Sequence, residues 1–258
     1  MITIKKPEEI AVIAQGGKIL AEVLSAVAKK AVPGVKTIEL DQLAEQLIIQ
    51  HGGIPSFKNY RSRHDDPAFP TTLCTSVNEQ LVHVPASDYV LKKGDMLNID
   101  IGMKYPAEGG FFTDMAITVP VGPISALAKK LIKVTRRSLE LGIAQVKPGN
   151  FISDIARAIQ TYVESQGFSV VRQLVGHGVG YQVHEEPMIP NYVDNRQKKV
   201  ELQPGMVIAI EPMVSAGDYA IKTLEDQWSV VMADGSLGAH FEHTIVVTPD
   251  GHKVLTQF

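Results

Sequence analysis

Apolar residues recur at helical spacing in four stretches of the chain, and the stretches come as two pairs. The first opens with Pro7, Glu8 and Glu9, a favourable N-terminal turn, and carries Ile10, Ile13, Gly17 and Leu24 on one face. The second follows Pro33-Gly34, carries Leu40, Leu43, Leu47 and Ile48, and stops at Gly52, where a C-terminal cap glycine belongs. The same pattern returns later as Leu127, Leu131 and Val134, then Pro148-Gly149, then Ile155, Ala158, Tyr162 and Val163 with Gly167 behind. "PGVKTIELDQLAEQLIIQHGG" from Pro33 and "PGNFISDIARAIQTYVESQGF" from Pro148 therefore share one format. Each half is predicted to begin helix, Pro-Gly, helix.

Between the helical stretches the period drops to alternation, which predicts strands. "LKKGDMLNID" ends at Asp100 and aligns with "LQPGMVIAIE", which ends at Glu211, so each half closes a strand on a carboxylate. Met96, Asn98 and Asp100 share one face and Leu97, Ile99 and Ile101 the other; Val207, Ala209 and Glu211 mirror the first set. "IGMKYPAEGGFFTDMAITV" then reads as a hairpin that brings Asp114 across from Asp100. "GAHFEHTIVVT" reads as one further strand, with Glu242 and Thr244 on one face and Phe241, His243 and Ile245 on the other. If the halves pack about a pseudo-two-fold axis, their carboxylates converge on it. The expectation is a single two-lobed α/β domain over residues 1–258, with halves of about 1–120 and 121–258, because no Gly/Ser/Pro-rich linker separates them.

Composition narrows the chemistry. With 258 residues, 45% of them apolar, the chain can bury a large core. A net charge of −3 and scattered lysines and arginines leave no basic face for nucleic acid or an anionic membrane. One cysteine, Cys74, excludes an internal disulfide framework and a thiolate-rich zinc site, so a metal would have to use His, Asp and Glu. No signal-peptide pattern and no unbroken apolar run of spanning length occurs, and a reducing, cytoplasmic setting is expected.

Asp100, Asp114, Glu211 and Glu242 are four acids on strands whose opposite faces are apolar. Such a group turned into a core repels itself unless neutralised, and a pair of divalent cations does that most directly. His177 lies between Gly176 and Gly178, which leaves the backbone free for the close approach that a ligand loop needs; the alternative is a turn histidine. His184 is an odd number of residues away, so both can face one cleft only if the chain bends at Gly178 or Gly180. His64, Asp65 and Asp66 read as a solvated loop rather than a ligand cluster.

With "NID" and a later "TD", "GHGVG" followed by "HEEP", "IEPM" and "FEHTIVVT", the chain resembles the type I methionine aminopeptidases of metallopeptidase family M24 over nearly its whole length. The resemblance implies the pita-bread fold, two pseudo-two-fold-related halves with an antiparallel-rich sheet covered by helices. It implies Asp100, Asp114, His177, Glu211 and Glu242 as ligands of two divalent ions (Co, Mn, Fe or Zn), with Asp114 and Glu242 bridging. His83 and His184 match the family's non-ligand catalytic histidines, and Glu211 its proton shuttle. The resemblance also places Tyr60, Phe69, Cys74, Val183 and Trp228 around the substrate's first side chain, Val183 where the family commonly has a larger aromatic residue. The implied substrate is the N-terminal methionine of nascent polypeptides, released near the ribosome, and a monomer is expected. Two insertions set the chain apart: a longer spacer between Asp100 and Asp114, and the expanded "YRSRHDDPAFP".

The same five ligands occur in Xaa-Pro aminopeptidases and prolidase-like peptidases. "SVNE" and "HEEPMIPNY" side with methionine removal. A pita-bread protein reduced to a binding module is disfavoured, because all five ligand positions hold competent residues.

Overall fold

The computed structural model describes residues 1–61, 65–194, 196 and 199–257. His64 lies outside the described residues. The helices are α1 (Pro7–Lys30), α2 (Thr37–Gln50), α3 (Ala126–Ile143) and α4 (Ile152–Ser165). The strands are β1 (Ile54–Pro55), β2 (Leu73–Val77), β3 (Gln80–Val82), β4 (Met96–Tyr105), β5 (Phe111–Pro120), β6 (Ser169–Val170), β7 (Gly176–Gly178) and β8 (Glu185–Ile189). They continue as β9 (Val207–Ile210), β10 (Met213–Ser215), β11 (Ile221–Thr223), β12 (Val230–Met232), β13 (Gly238–His240), β14 (Glu242–Thr248) and β15 (Gly251–Val254).

The paired helices begin and end where local chemistry permits. In α1 and α4 an acid in the first turn reaches back to an otherwise orphaned amide: Glu9 accepts from Lys6 N at 2.8 Å and Asp154 from Phe151 N at 2.8 Å. After α2 and α4 the chain turns at Gly52 and Gly167, both at φ 81°, a left-handed conformation that costs glycine least. By length and composition α1 could cross a membrane. Here its apolar face is taken up by the sheet, with Ile13, Leu20 and Leu24 fully buried. On α3 the apolar stripe begins one residue later than expected: Leu127 faces solvent in the first turn, and Ala128, Leu131 and Val134 are buried.

Nine strands form one antiparallel sheet in the order β1-β4-β5-β14-β9-β7-β8, with β2 paired to β4 and β15 to β14. Helices α1 and α2 cover its first half, where Leu20, Leu24, Leu40 and Ile48 pack on Leu97, Ile99 and Ile101. Helices α3 and α4 cover the second, where Leu131, Ile155 and Ile159 pack on Ile208, Ile210 and Ile245. Each of these side chains contributes about 1.5–3 kcal/mol by leaving water. This is the mixed α/β pita-bread architecture that the resemblance implies. Two three-stranded sheets, β13-β10-β6 and β11-β12-β3, complete it.

Three strand expectations are corrected. The strand through Asp100 does not end there but continues to Tyr105. Its hairpin partner opposite Asp100 is Ala116, and Asp114 lies opposite Gly102. The turn between Tyr105 and Phe111 sets this register, which runs without a bulge for the whole ladder, so the longer spacer extends outward and leaves the acids on one face. Third, "GAHFEHTIVVT" is broken at Phe241: β13 pairs with β10 in a small sheet, and β14 enters the main one.

Candidate metal centre

Five consecutive strands of the main sheet, β4, β5, β14, β9 and β7, each bring one side chain to the same cavity. Asp100 comes from β4, Asp114 from β5, Glu242 from β14, Glu211 from the residue after β9 and His177 from β7. Asp100, Ala116 and Glu242 form one cross-strand row, and Asp114 sits two residues from Ala116 on the same face. Ala116, 1% exposed, puts only a methyl group between the two flanking acids.

Ligand atoms of Asp114, His177 and Glu242 all lie within 4.8 Å of one another. His177 Nδ1 is 2.9 Å from the carbonyl of Gly178, which can only accept, so Nδ1 carries the proton and Nε2 presents a lone pair. That lone pair is 3.4 Å from Glu211 Oε1. Asp100 Oδ1, Asp114 Oδ1 and Glu242 Oε1 are buried without a hydrogen-bond partner among the described residues. Burial, reinforced by the neighbouring carboxylates, raises the pKa values of Asp114 and Glu242 well above the ordinary range. Burial likewise raises those of Asp100 and Glu211. His177 is pushed down to about 3, chiefly by burial and then by His184. Orphaned carboxylate oxygens and a lone pair converging in one buried space are what a divalent cation satisfies, and oxygen with one imidazole nitrogen suits several first-row metals.

Glycine makes the approach of His177 feasible. A Cβ at Gly178 would meet the carbonyl oxygen of Glu186 at 2.4 Å, and one at Gly176 that of Ala209 at 2.3 Å. The chain then bends at Gly180, φ 136°, and returns His184 to the same cleft, its ring centroid 4.5 Å from that of His177. His184 Nδ1 is 2.9 Å from the Tyr60 hydroxyl. His83 follows β3 in a left-handed conformation, φ 58°, and lines the cavity; burial lowers its pKa to about 4, so it is neutral.

The cavity, about 90 Å³, has an apolar end formed by Tyr60, Phe69, Cys74 and Trp228, with the Phe69 and Trp228 rings edge to face at 5.3 Å. Burial drives the Cys74 thiol well up, so it stays protonated. Phe57 also lines this end and was not anticipated; it follows β1 in an irregular segment without periodicity. Val183 is buried but is not among the lining residues. His240 was also missed: fully buried, with Nε2 3.6 Å from Glu211 Oε2, it ends β13 two residues before Glu242, across the break at Phe241. A wider cleft of about 430 Å³ adjoins, sharing His83, His177, His184 and Glu211 and bounded by Leu174, Met188 and Met213.

Metallopeptidase family M24 matches residues 11–249. The methionine aminopeptidase 1 of Bacillus subtilis is 49% identical over 257 residues, covering 100% of both chains. The solved methionine aminopeptidase structure from Thermotoga maritima superposes with a TM-score of 0.93 at 40% identity, and that from Rickettsia prowazekii with 0.93 at 37%, each covering 100% of both chains. The prolidase structure from Pyrococcus horikoshii, at 23% identity and a TM-score of 0.77, covers 98% of this chain and 63% of that one, a likeness of fold alone.

Proposed function

The chain belongs to metallopeptidase family M24, among its methionine aminopeptidases, and on that premise we propose that it releases the N-terminal methionine of polypeptides at a centre of two divalent ions. The observation that carries the reading is the convergence of Asp100, Asp114, His177, Glu211 and Glu242 from five neighbouring strands on one buried space. These five residues would hold the ions, with Asp114 and Glu242 on neighbouring strands inside the array. Ions bound there would supply an activated water and polarise the scissile carbonyl.

The remaining steps belong to the chain. Tyr60, Phe69, Cys74 and Trp228, with Phe57, receive the first side chain; an unbranched, polarisable thioether suits an edge of aromatic rings and a thiol. The rest of the peptide leaves through the wider cleft past Leu174 and Met213. His184, fixed by Tyr60, donates a hydrogen bond to the carbonyl oxygen as negative charge develops there, and His83 contacts the scissile nitrogen. Glu211, as the carboxylate, would take a proton from the water and return it to the departing amine, and the greater proton affinity that burial gives it suits that role. Because acids from residues 100 and 114 and ligands from 177, 211 and 242 share one space, the halves about 1–120 and 121–258 act as one catalytic unit.

The test compares hydrolysis of Met-Ala-Ser and Ala-Pro, each with and without a chelator. Chelator-sensitive release of methionine alone is expected. Cleavage of Ala-Pro in preference to Met-Ala-Ser would replace the reading by a proline-specific one, and no cleavage of either would leave a binding protein.

A further inference from the structure

Residues 3–6, ahead of α1, line neither the proposed metal cavity nor the adjoining cleft, yet they are built into the loop that presents His184. The Lys5 backbone N–H donates to Gly205 O at 2.8 Å, in the turn that leads into β9 and Glu211. Its side chain runs the other way and is buried, with 1% of it exposed, beside Glu185, of which 5% is exposed. The two groups are 2.7 Å apart. Glu185 divides its carboxylate between two tasks. Oε2 accepts from Lys5 Nζ and from the Thr3 hydroxyl, and Oε1 accepts from the backbone amides of Tyr181 and Gln182. The Lys5 ammonium also sits 5.0 Å from the Tyr181 ring centroid and fills the space left by Gly180, where a Cβ would meet Lys5 Cε at 2.7 Å. The Tyr181 hydroxyl donates to Glu9 on α1 at 2.7 Å.

A buried ion pair contributes little net stability, because desolvating both charges offsets their attraction; what it supplies is one fixed arrangement. Here the arrangement closes the bend from Gly178 to Glu185, and His184 is the residue immediately before the shared carboxylate. We infer that Lys5, through Glu185, is a positioning residue that holds the 180–185 bend so that His184 faces the cleft. This rests on the reading of His184 as the carbonyl donor. Lys5 itself reaches neither substrate nor metal. A displacement of about 1 Å at a catalytic group can lower turnover about 100-fold, so loosening the bend acts on kcat.

The experiment is a double-mutant cycle on the full chain with saturating manganese, reading hydrolysis of Met-Ala-Ser. Lys5→Met should lower kcat about 10- to 100-fold with KM and bound metal little changed, and Lys5→Arg should restore most of it. In a His184→Ala background Lys5→Met should have no further effect, because the group it positions is gone. An equal loss in both backgrounds, or no loss in the parent, overturns the inference. If His184→Ala alone runs at the parent rate, the reading of His184 fails, and the tether is then judged by the His184 imidazole ¹⁵N resonances: moved by Lys5→Met they support it, unmoved they overturn it. Should Lys5→Met not fold, Glu185→Gln, which keeps an oxygen for the two amides and removes the charge partner, enters the same cycle with the same outcomes.

Discussion

Replacing Thr244 by valine removes one hydroxyl and leaves the shape and strand preference of the residue nearly unchanged. The hydroxyl stands at a fork, where β14 has paired with β5 through Glu242 and His243 and turns away to pair with β15 from Ile245 onward. No ladder bond serves Asp114 there. The Thr244 hydroxyl does so twice, donating to Asp114 O at 2.8 Å and accepting from Asp114 N at 3.0 Å. Thr244 is 0% exposed and Asp114 3%, so Thr244→Val strands two buried backbone groups of a proposed metal ligand. At about 1–3 kcal/mol for each, less the gain from no longer burying a hydroxyl, the variant should lose about 2–4 kcal/mol. For a chain of this size that is a fall of roughly 5–15 °C in Tm. Calorimetry on the metal-free protein measures it, and Thr244→Ser, which keeps the hydroxyl, should recover all but about 1 kcal/mol. Manganese binding followed by titration calorimetry should weaken in parallel, because the Asp114 backbone is no longer fixed. A Thr244→Val protein within about 0.5 kcal/mol of the parent would refute the claim that this hydroxyl replaces the missing ladder bonds.

His83→Ala and His184→Ala should retain bound metal and lose about 10- to 1000-fold in kcat, the scale of one transition-state donor; loss of metal from His184→Ala would make it a ligand instead. Ala116→Leu forces a branched side chain between Asp100 and Glu242 at a fully buried site, so it should cost about 1–3 kcal/mol and abolish metal binding, as elemental analysis would reveal. Above about pH 6.5 the metal-free protein should lose stability as pH rises. Asp100 and Glu211 have folded pKa values near 6 and 8, above their unfolded ones, so the stability their protonated forms contribute disappears as pH climbs to about 8; below about pH 6.5 the buried neutral His83 and His177 act in the opposite direction. Urea melts between about pH 6.5 and 8.5 should show the fall without metal and a flatter profile with saturating manganese.

Residues that alternate or recur were legible before the fold was known. The acids at 100, 211 and 242 declared themselves because an acid in an apolar strand is out of place, and the paired Pro-Gly helices exposed the two-part layout. What escaped depended on geometry that no local pattern encodes. Whether Asp114 faces Asp100 or Gly102 is fixed by how many residues the 106–110 turn absorbs. The break at Phe241 follows from β13 and β14 belonging to different sheets, a choice made by distant partners. Phe57 reaches the cavity from an irregular segment, and Val183 is buried outside its lining even though the next residue, His184, lines it. Lys5, 180 positions from Glu185, has no signal at all in its own surroundings.

On the proposed function, five side chains hold two ions and these ions are needed for methionine release. Anaerobic titration of the metal-free protein with manganese, measuring bound metal per chain and Met-Ala-Ser hydrolysis on the same samples, tests it most directly. The expected result is saturation at two ions per chain in the parent, activity that depends on that occupancy, and disturbance of both ions in Asp114→Asn. Full activity without bound metal, or unchanged stoichiometry and rate in Asp114→Asn, would contradict it.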